Sequence, residues 1–321
     1  MKKVHQVCLC RCFLLLMVVL TACQNKITTK EAAAPINQIQ RVVFLGNSIT
    51  YSGEYVADIE AFFRLVHPTL EIEWINVGLP SETVSGLSEE GHAEGAFPRP
   101  VLHERLERVL KQTQPDLVFA SYGMNDGIYQ PFDSMRSERF QEGMINLHEM
   151  VVEQGVPIVH LTPPVYDEAK GGVRGYDDVL RLYSDWLLDQ GAEKSWLVLD
   201  IHGPMRSFLD EKRNEDPNFY LAADGVHPGE QGHWIIAREI LSFLGQKQVQ
   251  DAESLLSIMT DYPHAATVIQ QVRDKQQLMR DAWLTAIGHS RPGLKEGLPL
   301  EEAYQTSAAL DFVLDSLTLS R

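Results

Sequence analysis

From residue 41 onward, short apolar runs alternate with longer stretches of helical spacing. Arg41-Val-Val-Phe-Leu45 is almost continuously apolar, the pattern of a strand buried on both faces of a parallel sheet. Tyr55 to Val66 then places Val56, Ile59, Phe62, Phe63 and Val66 at helical intervals. Glu71 to Val77 alternates like a strand, and Val101 to Leu110 reads as a helix with Pro100 at its start. Asp116 to Tyr122 is the strongest central strand. A helix follows at Ser137 to Gln154, a strand at Val156 to Leu161 and a helix at Tyr176 to Gln190. A fifth strand at Trp196 to Ile201 and a helix at Glu230 to Leu244 close the unit. Strands separated by helices of this length predict right-handed crossovers and an α/β fold with a doubly wound, five-stranded parallel sheet.

The pattern changes at both ends. After Gln246 there are few strand signals, and long helical patterns run over Ala265 to Ile287 and Leu300 to Leu317. Residues 246–321 are expected to form a helical extension on the sheet domain of residues 41–245, with no second catalytic domain and no internal repeat. At the start, Lys2, Lys3 and Arg11 precede the apolar run Cys12 to Leu20. A basic segment followed by so short an apolar run is a secretory signal, too short to span a bilayer as a mature helix. Leu20-Thr21-Ala22-Cys23 resembles the lipobox of bacterial lipoproteins, which implies removal of residues 1–22 and lipidation of Cys23. Residues 23–40 then serve as a tether, and the protein is expected outside the cytoplasm, anchored by lipid to a bacterial membrane, the outer membrane in the first instance.

Cysteine usage agrees with that reading. Cys8, Cys10 and Cys12 fall in the removed segment, so the mature chain keeps only Cys23 and holds no disulfide. Twenty-eight basic residues against 44 acidic leave a net charge of −16, which argues against a nucleic-acid partner.

In an open parallel sheet the chemistry sits at the carboxyl ends of the strands. Gly46-Asn-Ser-Ile-Thr50 follows the first strand, Asn76-Val-Gly78 the second and Gly123-Met-Asn-Asp126 the third, while Asp224-Gly-Val-His-Pro228 precedes the last helix of the domain. That set can transfer an acyl group. Ser48 is a weak nucleophile until a base takes its proton, and His227 is the natural base near neutral pH. Asp224, three residues earlier, can hold the other imidazole nitrogen. The oxyanion formed on attack needs fixed donors. The Ser48 N–H, the Gly78 N–H and the Asn125 side-chain amide are available, and the helix expected after Ser48 adds its dipole.

These four blocks, in this order, resemble the SGNH (GDSL-type) hydrolase superfamily over roughly residues 41–245. The resemblance implies a flavodoxin-like three-layer α/β/α sandwich. It makes Ser48 the nucleophile, His227 the base, Asp224 its partner, and Gly78 and Asn125 oxyanion donors, with no metal or other cofactor. The first block departs from the usual Gly-Asp-Ser, since Asn47 stands in place of the acid; it keeps a similar shape and drops a charge beside the nucleophile. By analogy of family and location, the substrate is an ester, in the first instance an O-acetyl group on carbohydrate. A lysophospholipase or thioesterase and a non-catalytic carbohydrate-binding lipoprotein are the alternatives.

Other chemistry is poorly served. His103-Glu104 and His148-Glu149 are followed four residues on by Glu107 and Val152, so neither completes H-E-x-x-H, and both histidines are expected on solvated helix faces. There is no G-x-S-x-G elbow. Asp126 is expected to support its loop, the tract Thr162 to Asp167 to shape the site wall, and Tyr129, Tyr166, Trp74 and Trp234 are aromatic candidates for sugar contact or core packing.

Overall fold

Five strand signals become five parallel strands, and their common direction places the three blocks that follow β1, β2 and β3 on one rim. A computed structural model describes residues 35–319. The segment expected to be a signal and Cys23 lie outside the described residues, as does most of the expected tether. The strands are β1 (Arg41–Gly46), β2 (Glu73–Asn76), β3 (Leu117–Ser121), β4 (Ile158–Leu161) and β5 (Leu197–Leu199), in the order β2-β1-β3-β4-β5. All neighbouring pairs are parallel, with Phe44 beside Asn76 on one side and Phe119 on the other. Central β1 and β3 are buried almost throughout because helices cover both faces, so their side chains can be apolar on both. Phe44 stacks on Phe119 with ring centroids 5.4 Å apart, and burying one such side chain contributes about 1.5–3 kcal/mol.

The helices are α1 (Ser48–Ser52), α2 (Glu54–Val66), α3 (Leu106–Thr113), α4 (Ser134–Val152), α5 (Glu168–Gly171) and α6 (Tyr176–Lys194). They continue as α7 (His202–Glu215), α8 (Glu230–Phe243), α9 (Leu255–Ile258), α10 (Ala265–Ile287) and α11 (Leu300–Leu319). This is the expected three-layer α/β/α sandwich. Two differences are local. β5 is three residues long, and Ile201 ends the extended chain because α7 begins at His202, a helix the periodicity does not announce. Pro204 sits in its first turn, where a missing N–H costs nothing. Within the expected tether, Ile39 is buried and the N–H groups of Gln40 and Arg41 donate to Asp116 Oδ2 at 2.8 and 2.9 Å, so the chain is already tied to the sheet domain there.

The C-terminal helices belong to the same compact unit as the sheet. α10 packs on α2 and β2, and Gln276 Nε2 donates to the Trp74 carbonyl at 2.9 Å, covering an edge strand that would otherwise present free backbone groups. Lys275 pairs with the buried carboxylate of Glu60 at 2.9 Å. The carboxyl's burial would raise its pKa, but Lys275, Arg64 and Gln276 outweigh that and hold it down at about 2. Arg280 Nη1 donates to the Tyr51 carbonyl at 2.6 Å, and its guanidinium lies 3.8 Å over the Tyr51 ring. The extension thus braces the short helix that begins at Ser48. Among the described residues, no helix is long and apolar enough to cross a membrane.

Candidate active site

The turn after β1 is built by Asn47, whose Oδ1 accepts from the Ile49 N–H at 3.1 Å and so caps α1. An aspartate could make the same bond, so replacing the acid leaves the local backbone intact. Ser48 is the first residue of α1, where its own N–H is one of the orphan donors of a helix start.

The loop before α8 folds back on itself. Gly229 N–H donates to the Leu221 carbonyl at 2.8 Å, and Ala222 and Pro228 form an isolated antiparallel bridge. Asp224 Oδ1 accepts from the N–H groups of Val226 and His227 at 2.9 and 2.8 Å. Asp167 holds the same loop from outside: its N–H donates to the Gly225 carbonyl at 2.9 Å, while its two carboxylate oxygens accept from Arg213 Nη2 at 2.7 and 2.8 Å.

This arrangement brings Ser48 and His227, 179 positions apart, to 2.8 Å between Oγ and Nε2. His227 Nδ1 lies 2.6 Å from Asp224 Oδ2. Burial would raise the Asp224 pKa, but hydrogen bonds from His227 and from two backbone N–H groups outweigh it and hold the carboxyl at about 2. An ionised carboxylate only accepts, so the Nδ1 proton is on the imidazole and Nε2 is left to accept from the Ser48 hydroxyl. The His227 and Asp224 side chains are 50% and 56% exposed, so the row lies open on the rim.

Asn125 stands where the third block predicts, buried just past the carboxyl end of β3, the strand that pairs with β1. Its Nδ2 donates to the Glu82 carbonyl at 3.1 Å, which leaves one amide hydrogen unspent, and its Oδ1 accepts from the Tyr129 hydroxyl at 3.1 Å. Asp126 has the supporting role expected of it: its carboxylate accepts from the N–H groups of Val84, Ser85 and Gly123 at 2.8–2.9 Å.

Gly78 requires a correction. Its N–H donates to Asn76 Oδ1 at 2.9 Å, so the donor assigned to the oxyanion is already committed. The glycine is there for packing: a Cβ would meet the Tyr51 nitrogen at 2.4 Å and the Thr50 carbonyl carbon at 2.7 Å. Four residues on, Glu82 N–H donates to the Leu79 carbonyl at 3.2 Å, closing a turn with Pro80 and Ser81 at its centre. Ser81 has φ 69°, the left-handed value that the third position of a type II turn demands. Pro80 is a legible turn signal, but serine where glycine is usual hides the turn type in the sequence.

Beneath this turn is a group that sequence reading misses. Arg105 Nε and Nη2 bind the two Glu82 carboxylate oxygens at 2.6 and 2.8 Å, Nη2 also donates to the Val77 carbonyl at 2.8 Å, and Tyr122 donates to Glu82 Oε2 at 2.7 Å. Both charged side chains are fully buried. The pair ties the backbone on either side of the Ser81 turn to α3, and through the Glu82 carbonyl it places Asn125. Nothing in the spacing of Glu82 and Arg105 predicts the pair.

Other expected roles sort themselves by burial. Trp74, Trp234 and Tyr166 are core residues, and of the four aromatic candidates only Tyr129 is partly exposed. His148 is not on a solvated face: its Nδ1 lies 3.0 Å from His160 Nε2 and its ring stacks 4.0 Å from Trp196, so burial lowers its pKa to about 4. His103 is half-buried against the backbone of Val84 and Gly143. Among the described residues no cluster of His, Cys, Asp or Glu could hold a metal ion.

An open parallel sheet with a hydrogen-bonded Ser–His–Asp row at its carboxyl rim has the geometry for nucleophilic acyl transfer. The chain belongs to the GDSL-like lipase/acylhydrolase family, whose model matches residues 44–235, which places it among the ester hydrolases. Comparison with curated protein sequences finds no match. Similar solved structures include a gut microbial diltiazem-metabolizing enzyme, 23% identical with TM-score 0.52, the match covering 64% of this chain and 47% of that one. The match thus spans about half the length of that enzyme. They also include a catalytic mutant of an acetylxylan esterase from Geobacillus stearothermophilus, 23% identical with TM-score 0.50, covering 64% of this chain and 94% of that one. At these identities the likeness is one of fold.

Proposed function

We propose that this protein is a serine esterase that removes O-acetyl groups from carbohydrate through an acyl-enzyme. The observation that carries the reading is the continuous bond path from Ser48 Oγ to His227 Nε2 (2.8 Å) and from His227 Nδ1 to Asp224 Oδ2 (2.6 Å). Ser48 Oγ attacks the ester carbonyl while its proton passes to His227 Nε2, and the carbonyl oxygen takes up the electron pair of the broken π bond. The Ser48 N–H and the spare Asn125 Nδ2–H receive that oxyanion. Ser81 N–H takes the place assigned from sequence to Gly78, since among the described residues no hydrogen bond consumes it and the next carbonyl is the one that holds Asn125. His227 then returns the proton to the leaving alkoxide as the C–O bond breaks. Water, deprotonated by the same nitrogen, releases the acid and restores Ser48.

The open rim supports a small acyl group on a bulky polar alcohol: a polymer can lie across a half-exposed row, whereas a long acyl chain needs an enclosed apolar channel. The acetylxylan esterase among the similar folds points the same way. A series of p-nitrophenyl esters from acetate to octanoate, together with acetate release from acetylated xylan, tests the substrate. The expected result is the highest kcat/KM on acetate, falling at least about tenfold by octanoate, because each misplaced methylene costs on the order of 1 kcal/mol or more. A kcat/KM that rises with chain length would move the protein to lysophospholipid or thioester substrates.

The location follows the N-terminal sequence. We propose that Cys23 is lipidated and that the enzyme is held outside the cytoplasm on a bacterial membrane, the outer membrane in the first instance. Cys23→Ser should then shift the protein from the membrane fraction to the soluble fraction, and unchanged retention would refute the anchor.

A further inference from the structure

Tyr129 reaches Asn125 from a backbone that few residues adopt. Gln130 N–H donates to the Gly127 carbonyl at 3.1 Å, closing a turn whose central residues, Ile128 and Tyr129, have φ 47° and 53°. That pair of left-handed residues makes a type I′ turn, which ordinarily takes Asn-Gly. A β-branched isoleucine there is strained, and such strain persists only where the surroundings over-determine it.

The surroundings do so through rings. The Tyr129 ring stacks on Tyr176 at 4.8 Å and 27°, meets Tyr166 edge-on at 6.0 Å, and has the Arg99 guanidinium carbon 5.4 Å from its centroid. Tyr176 in turn donates its hydroxyl to the Met124 carbonyl at 2.7 Å, one residue before Asn125. Gly127 makes room for that ring, since a Cβ there would lie 2.8 Å from Tyr176 Cε2. What the turn delivers is one hydroxyl on Asn125 Oδ1.

We propose that Tyr129 is a positioning residue for the oxyanion donor Asn125, its hydroxyl and the Glu82 carbonyl gripping the two ends of the amide so that the spare Nδ2–H meets the developing charge. The two grips agree on one amide orientation: a carbonyl oxygen can only accept from Nδ2, and the hydroxyl donates to Oδ1. Neither grip occupies the second amide hydrogen. Burial raises the Tyr129 pKa above the ordinary phenol range, so the hydroxyl remains a donor at any working pH. Arg99 secures the back of the device: it forms two 2.7 Å bonds with Glu89, and its Nη1 reaches the Ser81 carbonyl at 3.4 Å.

The proposal rests on the acyl-transfer reading above, and its test separates the two. In the full-length chain, Tyr129→Phe keeps the ring packing and removes only the hydroxyl. It should lower kcat about tenfold with KM within about twofold, against a fall of about 10²–10³ for Asn125→Ala. In an Asn125→Ala background, Tyr129→Phe should lose its effect, because the amide it positions is gone. Full kcat in Tyr129→Phe, a change confined to KM, or the same factor in both backgrounds would overturn the assignment. A readout without turnover is the Asn125 side-chain amide pair in ¹⁵N NMR, assigned by its disappearance in Asn125→Ala. Those signals should shift and broaden in Tyr129→Phe, and unmoved signals would overturn the proposal even if Ser48→Ala had shown the chain not to be a serine esterase.

Discussion

Ester turnover falls about 10³–10⁶-fold when Ser48 is replaced by alanine, the range set by serine triads elsewhere. The expectation follows from the 2.8 Å contact between Ser48 Oγ and His227 Nε2. No other hydroxyl is hydrogen-bonded to this imidazole among the described residues, and without a nucleophile the site offers only binding and oxyanion donors. The fold is not at stake in the substitution. Asn47, not Ser48, caps α1, and alanine is well tolerated in a first helical turn, so the thermal midpoint should stay within a few degrees. Turnover of p-nitrophenyl acetate by the full-length protein, measured beside Ser48→Ala, decides the point. Equal rates would exclude the covalent mechanism and with it the esterase assignment.

Asp224→Asn comes second, with kcat lower by about 10⁴-fold and the fold intact. Asp224 Oδ1 is spent on the N–H groups of Val226 and His227, so an asparagine keeps its oxygen there and turns its NH₂ toward His227 Nδ1. A donor at that position drives the imidazole proton to Nε2, where it meets the Ser48 hydroxyl and can no longer remove its proton. A loss in KM alone would show that Asp224 does not control the tautomer. The pH dependence has a definite sign. Because the folded carboxyl is held at about 2, below its ordinary 3.8, the hold of Asp224 on its loop is complete above the ordinary value and fades as pH falls toward 2. An acid limb of activity near neutral pH therefore does not belong to Asp224, and it should keep its position in variants that leave this carboxylate in place.

The strands most legible in the sequence are those that tertiary structure buries on both faces. Val42 to Leu45 and Leu117 to Ala120 must be apolar whichever way they point, so a bare run of such residues is enough to find them. The reactive blocks are legible for a related reason. A parallel sheet sends every strand's carboxyl end to the same rim, so Ser48 after β1 and Asn125 after neighbouring β3 share it by topology, whereas the Asp224–His227 loop, between α7 and α8, is brought there by its own tertiary bonds. α7 is harder to see because it starts one residue after Ile201, with polar His202 and a glycine-proline pair that reads as loop.

Which backbone amide is free to meet an oxyanion is another matter. Gly78 and Ser81 lie three residues apart on one loop. The missing side chain favours the glycine, but a side chain two residues away, Asn76, takes the glycine's N–H, while no hydrogen bond among the described residues takes the serine's. The same holds for the Glu82–Arg105 pair and for the grip of Tyr129 on Asn125. The first joins residues 23 positions apart in the chain and the second crosses a strained turn, so neither leaves a periodic trace.

By itself the amino-acid sequence determined the layer architecture and singled out Ser48, His227 and Asp224 as the candidate nucleophile, base and acid. Those follow from burial and connectivity, which depend on residue type and order. Only the tertiary structure decided which N–H is spent and which is spare, how the C-terminal helices seal β2 and brace α1, and what holds the Asn125 amide. Those are settled by hydrogen-bond directions between groups distant in the chain, and residue order does not encode such directions locally.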